Sequence, residues 1–156
     1  MNTIEEYRSF LAQVRKETGI EAFAADEDGL VSLDIDGRYT LNLQFVERTG
    51  KVLCFIELVQ LPPDPPAAVY RDLLAGGLFG RDTAGGYFAL EPETGTVVYN
   101  YFFDFDLIRR DVDEFTATLE KILQLCDIWR ERIQSGESLP ETVSGAPEPD
   151  NHIIHV

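Results

Sequence analysis

Histidine is missing from the first 151 residues of this 156-residue chain, and both copies, His152 and His155, stand close together near its end. Without a side chain that titrates near neutrality, that long stretch carries no histidine-dependent nucleophile and base pair. The two histidines, three residues apart, lack a third ligand nearby and do not read as a metal site. Cysteine is equally scarce. Cys54 and Cys126 lie far apart and outside any C-x-x-C spacing, which argues against a disulfide framework or a zinc site and for two small buried thiols.

Positive charge is also in short supply. Thirteen Lys and Arg stand against 28 Asp and Glu, a formal charge of −15, and residues 1 to 134 alone hold 24 acids and 13 bases. Such a field repels phosphate backbones and anionic lipid, so neither nucleic acid nor a membrane surface is expected as a partner, whereas a basic one would be attracted. No apolar run approaches membrane-spanning length. The first thirty residues form a charged amphipathic segment without a signal-peptide core, and the expected compartment is the cytoplasm.

What the chain does have is clear periodicity. Thr3 and Glu6 form a capping-box signature, and Ile4, Tyr7, Phe10, Leu11 and Val14 follow at helical spacing, predicting a helix from Ile4 to about Glu17 that Gly19 ends. From Gly29 the period becomes two. Val31, Leu33 and Ile35, then Tyr39, Leu41, Leu43 and Phe45, predict two strands. A three-residue loop at Ile35, Asp36 and Gly37 sets Leu33 opposite Tyr39 and Val31 opposite Leu41, keeping one face apolar. The same device is expected at Arg48, Thr49, Gly50 and at Glu93, Thr94, Gly95. At the first of these it pairs Phe45 with Leu53 and Leu43 with Phe55. That register leaves Val52, Cys54, Ile56 and Leu58 on the other side of a third strand that is apolar on both faces, either as a central strand covered by helices or as a stripe that holds a partner.

The run LPPDPP at 61–66 ends the strand and leads into a second helix near Ala67, whose apolar stripe of Val69, Tyr70, Leu73, Leu74 and Leu78 is wider than a surface helix of its length needs. Fourth and fifth strands follow at Gly86 to Glu91 and Thr96 to Phe105. A final helix from about Val112 to Ile133 aligns Val112, Phe115, Leu119, Ile122, Leu123, Cys126, Trp129 and Ile133 on one side. Residues 135 to 156 lose periodicity and gain proline and acid, which predicts a disordered tail beyond a single α+β domain at 1–134.

Motifs that invite chemistry fail on inspection. GGLFGRDTAGG follows a helix, precedes a strand and lacks the lysine and hydroxyl residue of a phosphate loop. DEDG at 26–29 has Ala24 and Ile35 where a calcium loop needs oxygen ligands. Asp34, Asp36, Asp104 and Asp106 alternate with apolar residues as a solvated face does. No catalytic, cofactor-binding or metal residue is therefore assigned.

Leu73-Leu74, the glycine-rich break after them, the strand pair GGYFALEPETGTVVY and the closing DIWRERI together resemble the Tir-chaperone (CesT) family of type III secretion chaperones, over roughly residues 1 to 134. One departure is Gly76 and Gly77, near where members often carry an asparagine. The resemblance implies an α+β fold of helix, three-stranded antiparallel meander, helix, two-strand hairpin and long closing helix, without enzymatic activity or cofactor. It implies a homodimer through the second helix, with Val69, Tyr70, Leu73, Leu74 and Leu78 at the interface. It also implies an effector's amino-terminal segment as an extended client kept secretion-competent, and the secretion ATPase as a further partner. With the registers above, the client surface falls on Cys54, Ile56 and Leu58 and on Phe88, Leu90 and Phe102, or else beside Tyr7 and Phe10. Two alternatives stay open: a YbjN-like domain of the same architecture without a secretion client, and a small enzyme or ligand-binding domain with an aromatic cavity lined by the fifth strand.

Overall fold

The computed structural model describes residues 2–136; the tail from 137 to 156, and with it the expectation of disorder there, lies outside the described residues. Helix α1 spans Ile4–Thr18, opened by the expected capping box: the Glu6 amide donates to Thr3 Oγ1 at 3.2 Å while the Thr3 amide donates to Glu6 Oε2 at 2.8 Å. Strands β1 (Leu30–Ile35), β2 (Tyr39–Val46) and β3 (Lys51–Gln60) form the antiparallel meander. Helix α2 (Ala67–Gly76) and a 3₁₀ turn at Leu78–Gly80 lead to β4 (Tyr87–Glu91) and β5 (Thr96–Asp104). A four-residue helix, α3 (Phe105–Ile108), was not expected from the sequence; Asp104 caps it and turns Phe105 into the core. Helix α4 runs from Val112 to Ser135.

The sheet order is β1-β2-β3-β5-β4, with β3 central and β1 and β4 at the edges. The hairpin loops correct the expected registers. The first does contain three residues, but they are Asp36 to Arg38, one position later than expected, so Leu33 faces Leu41 and Val31 faces Leu43. A shift of two in partner preserves the apolar face. The second and third loops each hold four residues, between Val46 and Lys51 and between Glu91 and Thr96. Gly50 and Gly95, both at positive φ, send their amides back to Val46 and Glu91. One extra residue reverses the parity of what it connects. Phe45 therefore faces Val52 and Leu43 faces Cys54, and Val52, Cys54, Ile56 and Leu58 join the same core face as β2 rather than the opposite one.

The helices pack on that face. Tyr7 of α1 stacks on Phe45 at 5.0 Å, Phe10 meets Phe115 of α4 at 5.1 Å, and Phe115 meets Phe103 of β5 at 5.0 Å. Arg130 ties the far end of α4 to the sheet through a 2.9 Å bond to the Leu58 carbonyl, and the Tyr39 hydroxyl donates to Asp127 at 2.9 Å. Burial first, and that bond second, push the Tyr39 hydroxyl pKa upward.

Candidate client-binding surfaces

Two apolar grooves open on the helical side of the sheet. The first, about 470 Å³, lies beside edge strand β1. Its floor is Leu33, Leu41, Leu119 and Leu123, and one wall is the loop after α1 with Ile20 and Phe23. Arginines of α1 pin that loop: Arg8 donates to the carbonyls of Ala25 and Asp26 at 3.0 and 2.8 Å, and Arg15 donates to that of Phe23. Phe23 is thereby buried and Ile20 is left 47% exposed at the groove mouth. Asp34 and Glu120 are the charged groups lining it, with no Lys or Arg among the lining residues. At the start of β1 the Leu30 amide and carbonyl are bonded to Asp26, and beyond them β1 is an edge strand, where a sheet can pair with a further chain.

The second groove, about 650 Å³, lies between α2 and edge strand β4. Tyr70, Leu73 and Leu74 of α2, Leu78 and Phe79 of the 3₁₀ turn, and Tyr87, Phe88 and Leu90 of β4 line it. Leu74 is 80% exposed, and Phe79 projects outward from a left-handed backbone with φ of 57°. That conformation is uncommon for an aromatic residue, and the loop behind it is firmly held. Trp129 donates to the Asp82 carbonyl at 2.9 Å, the Tyr99 hydroxyl to that of Thr83 at 2.7 Å, and Thr83 Oγ1 to that of Gly86 at 2.7 Å.

The sequence-assigned client residues separate into three places. Cys54 and Ile56 are fully buried and Leu58 nearly so, because the four-residue second loop turns them to the core. Tyr7 and Phe10 of the fallback site are core residues as well. Phe88 and Leu90 flank the α2 groove on the helical side. Phe102, half-exposed, faces away from them: in the observed register Phe88 opposes Tyr99 and Leu90 opposes Val97, so Phe102 lies on the other side of the sheet, opposite Leu53. The aromatic side chains of β5 are likewise split, with Tyr99 and Phe103 in the core and Phe102 outside. They do not line one cavity.

Of the expected dimer residues, Leu73 is buried and Val69 partly so, while Tyr70, Leu74 and Leu78 are exposed together. The β1 groove was missed by the sequence reading. Its signal was Ile20 and Phe23, two large apolar residues in the segment between α1 and β1, which helical and strand periods both pass over.

Helices α1 to α4 and a five-stranded antiparallel sheet make a mixed α+β scaffold whose fold matches those of solved type III secretion chaperones. The family model for the Tir chaperone protein (CesT) family matches residues 9–130, and the chain belongs to that family. Similar solved structures include the ExsC–ExsE complex (TM-score 0.70, 19% identity, covering 85% of this chain and 97% of that one) and the HopA1–SchA chaperone–effector complex (0.68, 20%, 82% and 95%). The type III secretion chaperone SycH of Yersinia pestis, in complex with a fragment of YscM2, aligns at a TM-score of 0.55 with 17% identity over 76% of this chain and 98% of that one. At these identities the likeness is one of fold. Among the described residues no helix is long and apolar enough to cross a membrane.

Proposed function

We propose that this chain is a cytoplasmic chaperone that holds the amino-terminal segment of a type III secreted effector in extended form, laid along β1 and anchored in the adjoining groove. The observation that carries the reading is the coincidence of a sheet-edge strand with an apolar groove on the same element. An added strand would gain main-chain hydrogen bonds that tolerate varied sequences, while alternate side chains enter the groove and supply selectivity. Family membership and the fold of chaperones solved with their effectors support a client of this kind. Holding needs no reacting group, in keeping with a titratable inventory whose strongly perturbed members are buried tyrosines and thiols.

The same reading makes the second groove the face for another copy of this chain. Tyr70, Leu74, Leu78 and Phe79 present a contiguous apolar surface that a two-fold contact would cover, leaving both β1 edges outward for clients. A secretion ATPase would meet the loaded complex.

The test starts with mass spectrometry of proteins co-purifying from the native host, followed by binding of the recovered effector's amino-terminal segment to purified chaperone. Ile20→Asp, at an exposed position, should weaken that binding at least about tenfold with the circular dichroism spectrum unchanged. Undiminished binding by a folded Ile20→Asp protein would remove the β1 groove from the client path.

A further inference from the structure

The helices pack on one face of the sheet, and the middle of the opposite face is apolar. Leu53 and Phe102 stand directly opposite each other on β3 and β5, and the next rows across β3, β5 and β4 read Phe55, Asn100, Tyr87 and then Glu57, Val98, Ala89. Strand alternation turns all of these away from the core. Leu53, Phe55 and Val98 are only partly covered, and Tyr87 and Phe102 are each 48% exposed. A sheet face left to water is ordinarily polar. Single exposed apolar residues are commonplace, but adjacent rows of them form a contiguous surface of the kind that holds a partner.

Backbone and charge say what fits it. Strands β3 and β5 are each flanked on both sides, so their main-chain donors and acceptors are directed to neighbouring strands and not to a newcomer. An occupant must therefore close its own backbone bonds, as a helix laid on a sheet does. From Val98 to Phe102 the stripe runs about 13 Å, or about two and a half helical turns. The charged strand residues on this face are Asp34, Glu57, Glu91 and Asp104 against Lys51, and Lys51 is engaged by Asp104 at 3.7 Å. Among the described residues no ion pair holds Asp34, Glu57 or Glu91. A cationic margin complements that field. A second copy would bring the same acids against themselves, and anionic lipid would be repelled.

We propose that this face docks an amphipathic helix of a partner protein, with large apolar side chains on one side and lysine or arginine at its margins. Phe102 is the central anchor, Leu53, Phe55 and Val98 form the floor around it, and Glu57 meets the cationic margin. The surface lies across the sheet from the β1 groove and, apart from Tyr87 and Ala89 at the β4 margin, from the α2–β4 groove. The inference thus stands apart from the client reading, and a chaperone with both grooves filled keeps this face for a further protein.

The test uses the full-length protein carrying Ile20→Asp and Leu74→Asp, which set a charge in each of the two grooves, and a fluorescein-labelled peptide of about fourteen leucines and lysines with leucine at i, i+3, i+4 spacing. By fluorescence anisotropy this peptide should bind at least about tenfold more tightly than a scrambled peptide of the same composition or a version with glutamate for lysine, and it should gain helical circular dichroism when bound. Adding Phe102→Ser should weaken binding at least about tenfold. Adding Glu57→Lys, at an exposed position, should weaken it about threefold and keeps the proposal testable if the serine variant does not fold. Equal binding of the three peptides overturns the proposal, as does binding without gain of helix or binding that either substitution leaves unchanged in a folded protein. Binding seen with the unmodified chain but lost from the Ile20→Asp/Leu74→Asp protein overturns it too, by placing the peptide in the grooves. A fall in light-scattering mass caused by Phe102→Ser alone assigns the face to a second copy, and Phe102-dependent binding to phosphatidylglycerol vesicles assigns it to a membrane; either result overturns the helix-docking proposal.

Discussion

The indole of Trp129 lies where a side chain on Gly76 would have to stand: a Cβ built on that glycine would sit inside van der Waals contact of Cζ2 and Cη2. Helix α2 can close on α4 only because position 76 is bare, and Trp129 uses the contact to reach the Asp82 carbonyl and to meet Phe88 edge-on at 4.8 Å. The glycines after Leu74, a departure from what family members often carry, thus have a packing reason at the first of them. Gly76→Ala is expected to lower stability by about 1–3 kcal/mol, since a rigid ring has to move. Trp129 is the sole tryptophan, so its fluorescence should shift in the same variant at low denaturant, before global unfolding.

Ile56 and Phe102 test the corrected registers. Ile56→Ala empties a fully buried position on the central strand and should cost about 2–5 kcal/mol in a urea titration. Phe102→Ser, on the open side of the sheet, should cost less than about 1 kcal/mol. Equal losses would mean that the parity set by the second and third loops is wrong.

Element order, the capping box of α1 and the stripe of α4 were all readable from periodicity, because each rests on several residues voting for one face. Strand parity rests on a single loop residue. Arg48-Thr49-Gly50 and Glu93-Thr94-Gly95 suggest three-residue loops, yet Glu47 and Pro92 also leave the ladder, and each turn closes one residue earlier. On β2 the apolar alternation decides between registers; on β3, apolar at Leu53 and Phe55 as well as at Cys54 and Ile56, it cannot, so the client stripe was placed on the wrong side. Helix α3 was hidden because Phe105-Asp106-Leu107-Ile108 is too short for a helical period to show. The β1 groove escaped for a related reason: its loop wall has no period at all.

Alkaline pH should weaken the fold through its thiols. Burial pushes the Cys54 thiol up to about 12 and raises that of Cys126 as well. An unfolded cysteine ionises near pH ~8.5, so this contribution to stability is fully present below that value and is lost as pH rises toward the folded pKa. The urea midpoint should be level between pH 6 and 8 and fall above about 8.5, with a shallower fall in Cys54→Ala measured against its own neutral-pH midpoint. Neither thiol should react with an aromatic disulfide reagent at pH 8 until denaturant is added.

Leu73 and Leu74 are neighbours in α2 with opposite surroundings, one buried against the domain and the other 80% exposed over the α2–β4 groove. If a second copy covers that groove, light scattering of the native protein at micromolar concentration should give about twice the 17.6 kDa chain mass. Leu74→Asp should then return the mass to that of one chain while the circular dichroism spectrum stays native, because the charge is solvated in the separated chain and unpaired only in the dimer. Leu73→Asp should instead lower the melting temperature sharply, whatever the oligomeric state. A native protein that scatters as a single chain at all accessible concentrations would leave the exposed α2 surface to some other partner, and a Leu74→Asp protein that stays dimeric would move the two-fold contact to another face.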